Sequence, residues 1–124
     1  MGKLEYEKIS YQIRGLIFEV YNTLGPGFKE TIYHNALTEE FKKKGLPFED
    51  KKKIRIEYKG KVVGVYEPDF IVEDKIIIEI KSVENMPKIF EKQLYSYLKS
   101  AHYKVGLLVN FGADKLEIIR RIYG

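Results

Sequence analysis

One segment, Lys75-Ile76-Ile77-Ile78-Glu79-Ile80-Lys81, constrains this chain more than any other. It is too apolar for an ordinary surface strand and reads as a buried one. A carboxylate in its middle is expensive to desolvate unless it is paired, hydrogen-bonded or bound to a metal. Upstream stands a second acid, in Pro68-Asp69, and the two halves read as the arms of a hairpin turning near Glu73-Asp74-Lys75. Whatever fold the chain adopts must shelter that hairpin and compensate its charges.

Length and composition set the frame. With 124 residues, the expectation is one domain over 1–124 with a real core. Hydrophobic residues make up 44% and charged residues 32%, an ordinary globular balance without an apolar run long enough to cross a bilayer. There is no cysteine, so disulfides and thiolate metal sites are excluded. The first residues lack the apolar stretch of a signal peptide, and a cytoplasmic location is the expectation. A net charge of +4 permits a polyanionic partner without requiring one. Lysines cluster at 42–44, 51–53 and 59/61, consistent either with a solvated face or with phosphate contact.

Periodicity places the elements. Ile9, Ile13, Leu16, Ile17, Val20 and Leu24 follow helical spacing up to the stop Gly25-Pro26-Gly27. A second helix is predicted from Lys29 or Glu30 to Lys44, burying Ile32, Tyr33, Ala36, Leu37 and Phe41 and ending at Gly45. Period two then predicts a strand at 54–59, a turn at Lys59-Gly60-Lys61, a long strand at 62–72 interrupted at Pro68, and the isoleucine strand. Pro87 opens a third helix, followed by strands at 105–111 and 116–122. A helix between the strands at 75–81 and 105–111 predicts a parallel crossover. The fold class is therefore α/β: a mixed sheet, with an antiparallel meander plus a parallel crossover strand, flanked by about three helices.

Parity sharpens the hairpin. A two-residue loop would send Asp69 and Glu79 to opposite faces, whereas a three-residue loop, Glu73-Asp74-Lys75, pairs Val72 with Ile76 and sets Asp69 opposite Glu79. Lys81 shares the face of Glu79. Two ionised carboxylates ~4 Å apart repel by roughly 4 kcal/mol at an effective dielectric near 20. Lys81 offsets part of that, and a divalent cation would offset more. The candidate ligands are oxygens, from Asp69, Glu79 and the Ile80 carbonyl, which favours Mg²⁺ or Mn²⁺ over zinc. The competing reading is a strand carboxylate held by Lys81 as a simple ion pair.

The pattern Pro68-Asp69, nine residues, Glu79-Ile80-Lys81 resembles the signature of the PD-(D/E)XK nuclease superfamily, the restriction-endonuclease-like fold. Gly27-Phe28-Lys29-Glu30-Thr31-Ile32-Tyr33 reads GxxExxY, as in the GxxExxY family of that superfamily, and Gln93-Leu94-Tyr95-Ser96-Tyr97 resembles its QxxxY element. The resemblance implies a restriction-endonuclease-like core in which Asp69, Glu79 and Glu30 hold Mg²⁺ (or Mn²⁺) on the scissile phosphate. It implies that Lys81 positions or deprotonates the attacking water, and that Gln93 and Tyr97, one turn apart, orient Lys81 or touch a phosphate. Tyr33 and Tyr97 are expected as supporting aromatics. Glu19 is a rival helical carboxylate without the motif, and His34 and His102 are expected at surface or core positions rather than on a metal.

The expected function is thus a metal-dependent nuclease acting on nucleic acid, DNA favoured over RNA. The alternative is a non-catalytic nucleic-acid-binding or assembly module that retains the fold. A homodimer would supply two sites for the two strands of a duplex. No membrane association is expected.

Overall fold

In a computed structural model, which describes residues 2–124, the chain forms three helices and seven strands. Helices α1 (Lys3–Leu24) and α2 (Glu30–Lys44) lead into strands β1 (Phe48–Asp50), β2 (Ile54–Tyr58), β3 (Lys61–Tyr66), β4 (Phe70–Val72) and β5 (Ile76–Lys81). Helix α3 (Ile89–Ala101) connects these to β6 (Val105–Asn110) and β7 (Glu117–Ile122). One sheet runs β1-β4-β5-β6-β7, and β2-β3 make a separate two-stranded ribbon. The β5–β6 pair is parallel and every other pair antiparallel. This is the mixed sheet with the α3 crossover that the sequence predicts.

Two layers cover the sheet. Phe70, Val72, Ile76, Ile78 and Ile80 face α1 and α2, packing against Ile13, Ile17, Leu37 and Phe41. Ile71 and Ile77 face the other way, against Leu94 and Leu98 of α3 and Tyr66 of the ribbon. The isoleucine strand is therefore apolar on both faces because both faces are covered, and its four isoleucines expose 1% of their surface or less.

The hairpin register is the one parity demands. Phe70 pairs with Ile78, Ile71 with Ile77 and Val72 with Ile76. Glu73 (φ 56°) and Asp74 (φ 54°) turn the chain in the left-handed region, and the Lys75 N–H donates to the Val72 carbonyl at 3.0 Å. Continuing the ladder by one step sets Asp69 opposite Glu79.

Three expectations need correction. The predicted strand at 62–72 is two strands in two sheets: Pro68, which cannot donate to a ladder, lies in the break between β3 and β4. The meander is accordingly a ribbon followed by a hairpin rather than three consecutive strands of one sheet. Strand β1 was not foreseen, because Phe48-Glu49-Asp50 carries only one apolar residue; its backbone pairing with β4 supplies the strand. Ile32, expected in the core, is 40% exposed, since the buried stripe of α2 runs through Tyr33, Leu37 and Phe41.

Asn110, at the end of β6, is fully buried and holds the far end of the sheet together. Its Oδ1 accepts from the N–H groups of Val83 and Gly112, and its Nδ2 donates to the Val83 carbonyl and Glu117 Oε1, all at 2.8–3.0 Å. Gly112 is needed in this clamp, because a Cβ there would lie 2.3 Å from the Val83 nitrogen and 2.5 Å from the Ser82 carbonyl carbon. Gly112→Ala is expected to destabilise the protein by about 2 kcal/mol or more. Gly15→Ala, on an exposed stretch of α1 where a Cβ meets open space, is expected to gain up to about 1 kcal/mol. Urea unfolding of the two variants measures both.

A candidate active site on the Pro68–Lys81 hairpin

The site grows from the end of β5. Ile77, Glu79 and Lys81 alternate onto the α3 side while Ile78 and Ile80 point into the α1/α2 core. Asp69 stands just before β4, and its Oδ2 accepts from the Ile80 N–H at 2.7 Å. The β4–β5 ladder ends at Phe70–Ile78, and beyond its end the aspartate side chain takes up this N–H. The Asp69 N–H in turn points at Glu79 Oε1 at a long 3.4 Å. The two acids are thus cross-tied through each other's strand.

Glu79 Oε2 accepts a 2.6 Å hydrogen bond from the Tyr66 hydroxyl at the end of β3. Tyr66 is itself fixed by parallel stacking on Tyr97 of α3, with ring centroids 3.8 Å apart. Burial pushes the Glu79 carboxyl up from its ordinary 4.5 to about 7; the Asp69 charge adds to the rise, while the Tyr66 hydrogen bond and Lys81 oppose it. Burial, with the neighbouring Glu79 charge, likewise raises the Tyr66 phenol far above its usual range, so it remains a donor.

Lys81 does not close an ion pair with either acid among the described residues. Its Nζ lies 4.4 Å from the centre of the Phe90 ring on α3, a cation–π contact. The simple ion-pair reading of the hairpin is therefore not what the structure contains. Ile80 is buried and paired with Val109 of β6.

The other sequence candidates take varied positions. Glu30 is the exposed first residue of α2 and makes no ion pair or side-chain hydrogen bond among the described residues. Tyr33 is fully buried: its hydroxyl donates to the Gly25 carbonyl at 2.6 Å, accepts from the Phe28 N–H at 3.1 Å, and its ring stacks on Phe111. It fixes the turn before Glu30, where Gly25 (φ 74°) and Gly27 (φ 99°) adopt left-handed backbone. Gln93 is exposed on α3, one turn before Tyr97, and forms no hydrogen bond to Lys81. Glu19 lies exposed on α1, and His102 caps the C-terminus of α3 in left-handed backbone.

Three residues stand here that the sequence did not place at the site. Tyr66 reads as an ordinary strand aromatic; the available signal was its place just before the Pro68 break. His34, expected at a surface or core position, is buried: its ring stacks on Phe70 (4.2 Å), its Nε2 is 2.8 Å from Asp50 Oδ1, and its Nδ1 is 3.4 Å from Asp69 Oδ1. Asp50 lies on the unforeseen β1. The helical step Glu30 to His34 was the one readable hint for the histidine.

Two facing acids with a lysine beside them suit a divalent cation, which would relieve the charge repulsion that helps raise Glu79. Among the described residues Asp69 Oδ1 accepts no hydrogen bond and could serve as a ligand. Among the described residues, no three His, Asp or Glu side chains are gathered closely enough to enclose a metal by themselves, so water or substrate oxygens would complete the shell.

A mixed sheet with an α3 crossover, bearing an acid opposite an acid-x-lysine strand end, is the architecture of a PD-(D/E)XK nuclease fold. The family comparison agrees over almost the whole chain: a model of the PD-(D/E)XK nuclease superfamily matches residues 7–122, and the chain belongs to that superfamily. Among solved structures, that of SSO0001 is similar, with a TM-score of 0.55 and 27% sequence identity over 74% of this chain. The match covers 48% of SSO0001, so the chain spans about half the length of that protein. No curated protein matches.

The raised Glu79 carboxyl has a consequence for stability. The folded protein holds this proton more tightly than the unfolded chain, so Glu79 favours folding below 4.5, and that contribution is lost as pH rises through about 7. In EDTA, the stability advantage of Glu79→Gln over wild type is expected to grow by on the order of 2 kcal/mol from pH 5 to pH 8. Urea titrations at the two pH values measure it; a pH-independent difference would contradict the assignment. Tyr66→Phe, which removes a bond to the ionised form, should move the Glu79 titration still higher in a carboxyl-carbon NMR titration.

Proposed function

We propose that this chain is a metal-dependent nuclease domain of the GxxExxY type, hydrolysing phosphodiester bonds of DNA in preference to RNA. The observation that carries the reading is the cross-tied pair Asp69–Glu79, held opposite one another with Lys81 on the same face. Its membership in the PD-(D/E)XK nuclease superfamily supports the same chemistry.

In this reading Asp69 and Glu79 hold Mg²⁺ or Mn²⁺, with Glu30 and the Ile80 carbonyl as further oxygen donors. The bound ion would polarise the scissile phosphate and lower the pKa of water. Tyr66 keeps the Glu79 carboxylate oriented, and a bound cation would offset the burial and the Asp69 repulsion that raise its pKa. Lys81, resting on Phe90 by a weak contact, is free to swing toward the attacking water and the charge developing on phosphate. Gln93 and Tyr97 line the α3 side of the approach. Residues 1–124 act as one domain, and a homodimer would present two sites to a duplex.

The ribbon supports a polyanionic substrate. Lys51, Lys52, Lys53, Lys59 and Lys61 are all exposed on or beside β2 and β3, and β3 ends at Tyr66, against Glu79. Among the described residues no helix is long and apolar enough to cross a membrane.

Cleavage of single-stranded DNA, duplex DNA and RNA with Mg²⁺, Mn²⁺ or EDTA is the direct test. Metal-dependent cleavage is expected, falling by about 10²-fold or more in both Asp69→Ala and Lys81→Ala. Binding without cleavage, unaffected by either substitution, would favour the non-catalytic module. Replacing both Lys59 and Lys61 by Gln is expected to weaken duplex binding across all sequences. It should also reduce the slope of log affinity against log salt by about 0.9 for each phosphate that is no longer neutralised.

A further inference from the structure

Two potential ligand atoms around Asp69 are unspent. Its Oδ2 is taken by the Ile80 N–H, whereas Oδ1 faces His34 Nδ1 at 3.4 Å without a hydrogen bond between them. Nδ1 is buried and without a partner among the described residues, in a side chain only 7% exposed. A buried imidazole nitrogen left unpartnered is costly, and here it is aimed at the free oxygen of an acid. The rest of the ring is fixed: Phe70 stacks on one face, and Nε2 lies 2.8 Å from Asp50 Oδ1.

One tautomer of this ring suits a cation. With its proton on Nε2, donated to the Asp50 carboxylate, the ring presents the Nδ1 lone pair toward Asp69. A carboxylate behind one ring nitrogen is the usual support for a histidine whose other nitrogen binds a metal. Neighbouring donors on one cation at about 2.1 Å stand about 3.0 Å apart, so a separation of 3.4 Å closes with a shift of a few tenths of an ångström. Glu30 lies one turn before His34 on α2 and therefore on the same side of the helix.

We propose that His34 Nδ1 is a nitrogen ligand to the cation, which sits on the α2 side of Asp69 between Oδ1 and His34, with Asp50 as the positioning residue behind the imidazole. This rests on the nuclease reading above for the presence of a cation, and it changes the donor set from oxygens alone to oxygens plus one imidazole. A nitrogen donor favours Mn²⁺ over Mg²⁺, so the site should prefer manganese more strongly than carboxylates and water would.

The test uses Mn²⁺ alone on the full chain prepared without a polyhistidine tag, read by electron spin-echo envelope modulation and by calorimetric affinity. The chain has only two histidines, so assignment is direct. Directly coordinated nitrogen is expected in wild type and in His102→Gln, shifting to the ¹⁵N pattern when histidine is isotopically labelled. It should vanish in His34→Gln, with Mn²⁺ affinity falling about 10-fold or more and the Mn²⁺/Mg²⁺ preference falling with it. Asp50→Asn, at a half-exposed position, should lower Mn²⁺ affinity about 10-fold. If His34→Gln does not fold, the wild-type spectrum and the Asp50→Asn affinity decide the matter. Mn²⁺ that binds in an Asp69-dependent manner without nitrogen coupling overturns this inference and leaves the nuclease reading intact. Failure of Mn²⁺ to bind wild type, or binding that survives Asp69→Ala, overturns both.

Discussion

Everything at the site follows from covering β5 on both faces. A strand flanked by β4 and β6, with α1 and α2 on one side and α3 with the ribbon on the other, has little water to offer a charged side chain. The isoleucines accept this environment, and Glu79 does not. The chain answers with a short bond from Tyr66, a neighbouring lysine and an acid on the opposite strand that caps the Ile80 amide. These compensations leave the glutamate still reluctant to ionise, as a site waiting for positive charge would be.

The supporting parts are second-order consequences of the same constraint. Tyr66 can hold Glu79 only because Tyr97 holds Tyr66, and Tyr97 can do so only because α3 packs on β6 and β7 and beside β2. On the other side, Tyr33 pins the glycine turn that starts α2, and α2 in turn carries His34 to Asp69. The side chains gathered at the candidate site thus come from β1, β3, β5 and α2 and from the residue just before β4, while the residues that place them are mostly aromatic. Aromatic rings suit this task because each fixes two contacts with few rotatable bonds.

Much of this was legible in the sequence, for identifiable reasons. The choice between a two- and a three-residue loop turned on whether Asp69 and Glu79 share a face, and the three-residue register expected on that ground is the one β4 and β5 adopt. Helical spacing and glycine stops gave α1, α2 and α3 within a few residues. Long-range pairing was not legible: Phe48–Asp50 is a strand only because β4 offers an edge, and Pro68 divides two sheets, not one strand. The same limit hid Tyr66 and His34. Each is an ordinary residue locally, and its position at the site is created by elements distant in the chain.

The parallel pairing of β5 with β6 has a consequence for the growing chain. Parallel neighbours cannot be joined by a turn, so β5 acquires its cover only after the α3 crossover and β6 have been made. A polypeptide ending before Val105 would already contain Asp69, Glu79 and Lys81, but its glutamate would be a solvated acid of ordinary strength, because burial is the main cause of its raised pKa. The raised Glu79 carboxyl is therefore tied to completion of the sheet, and incomplete chains carry the motif without its electrostatics.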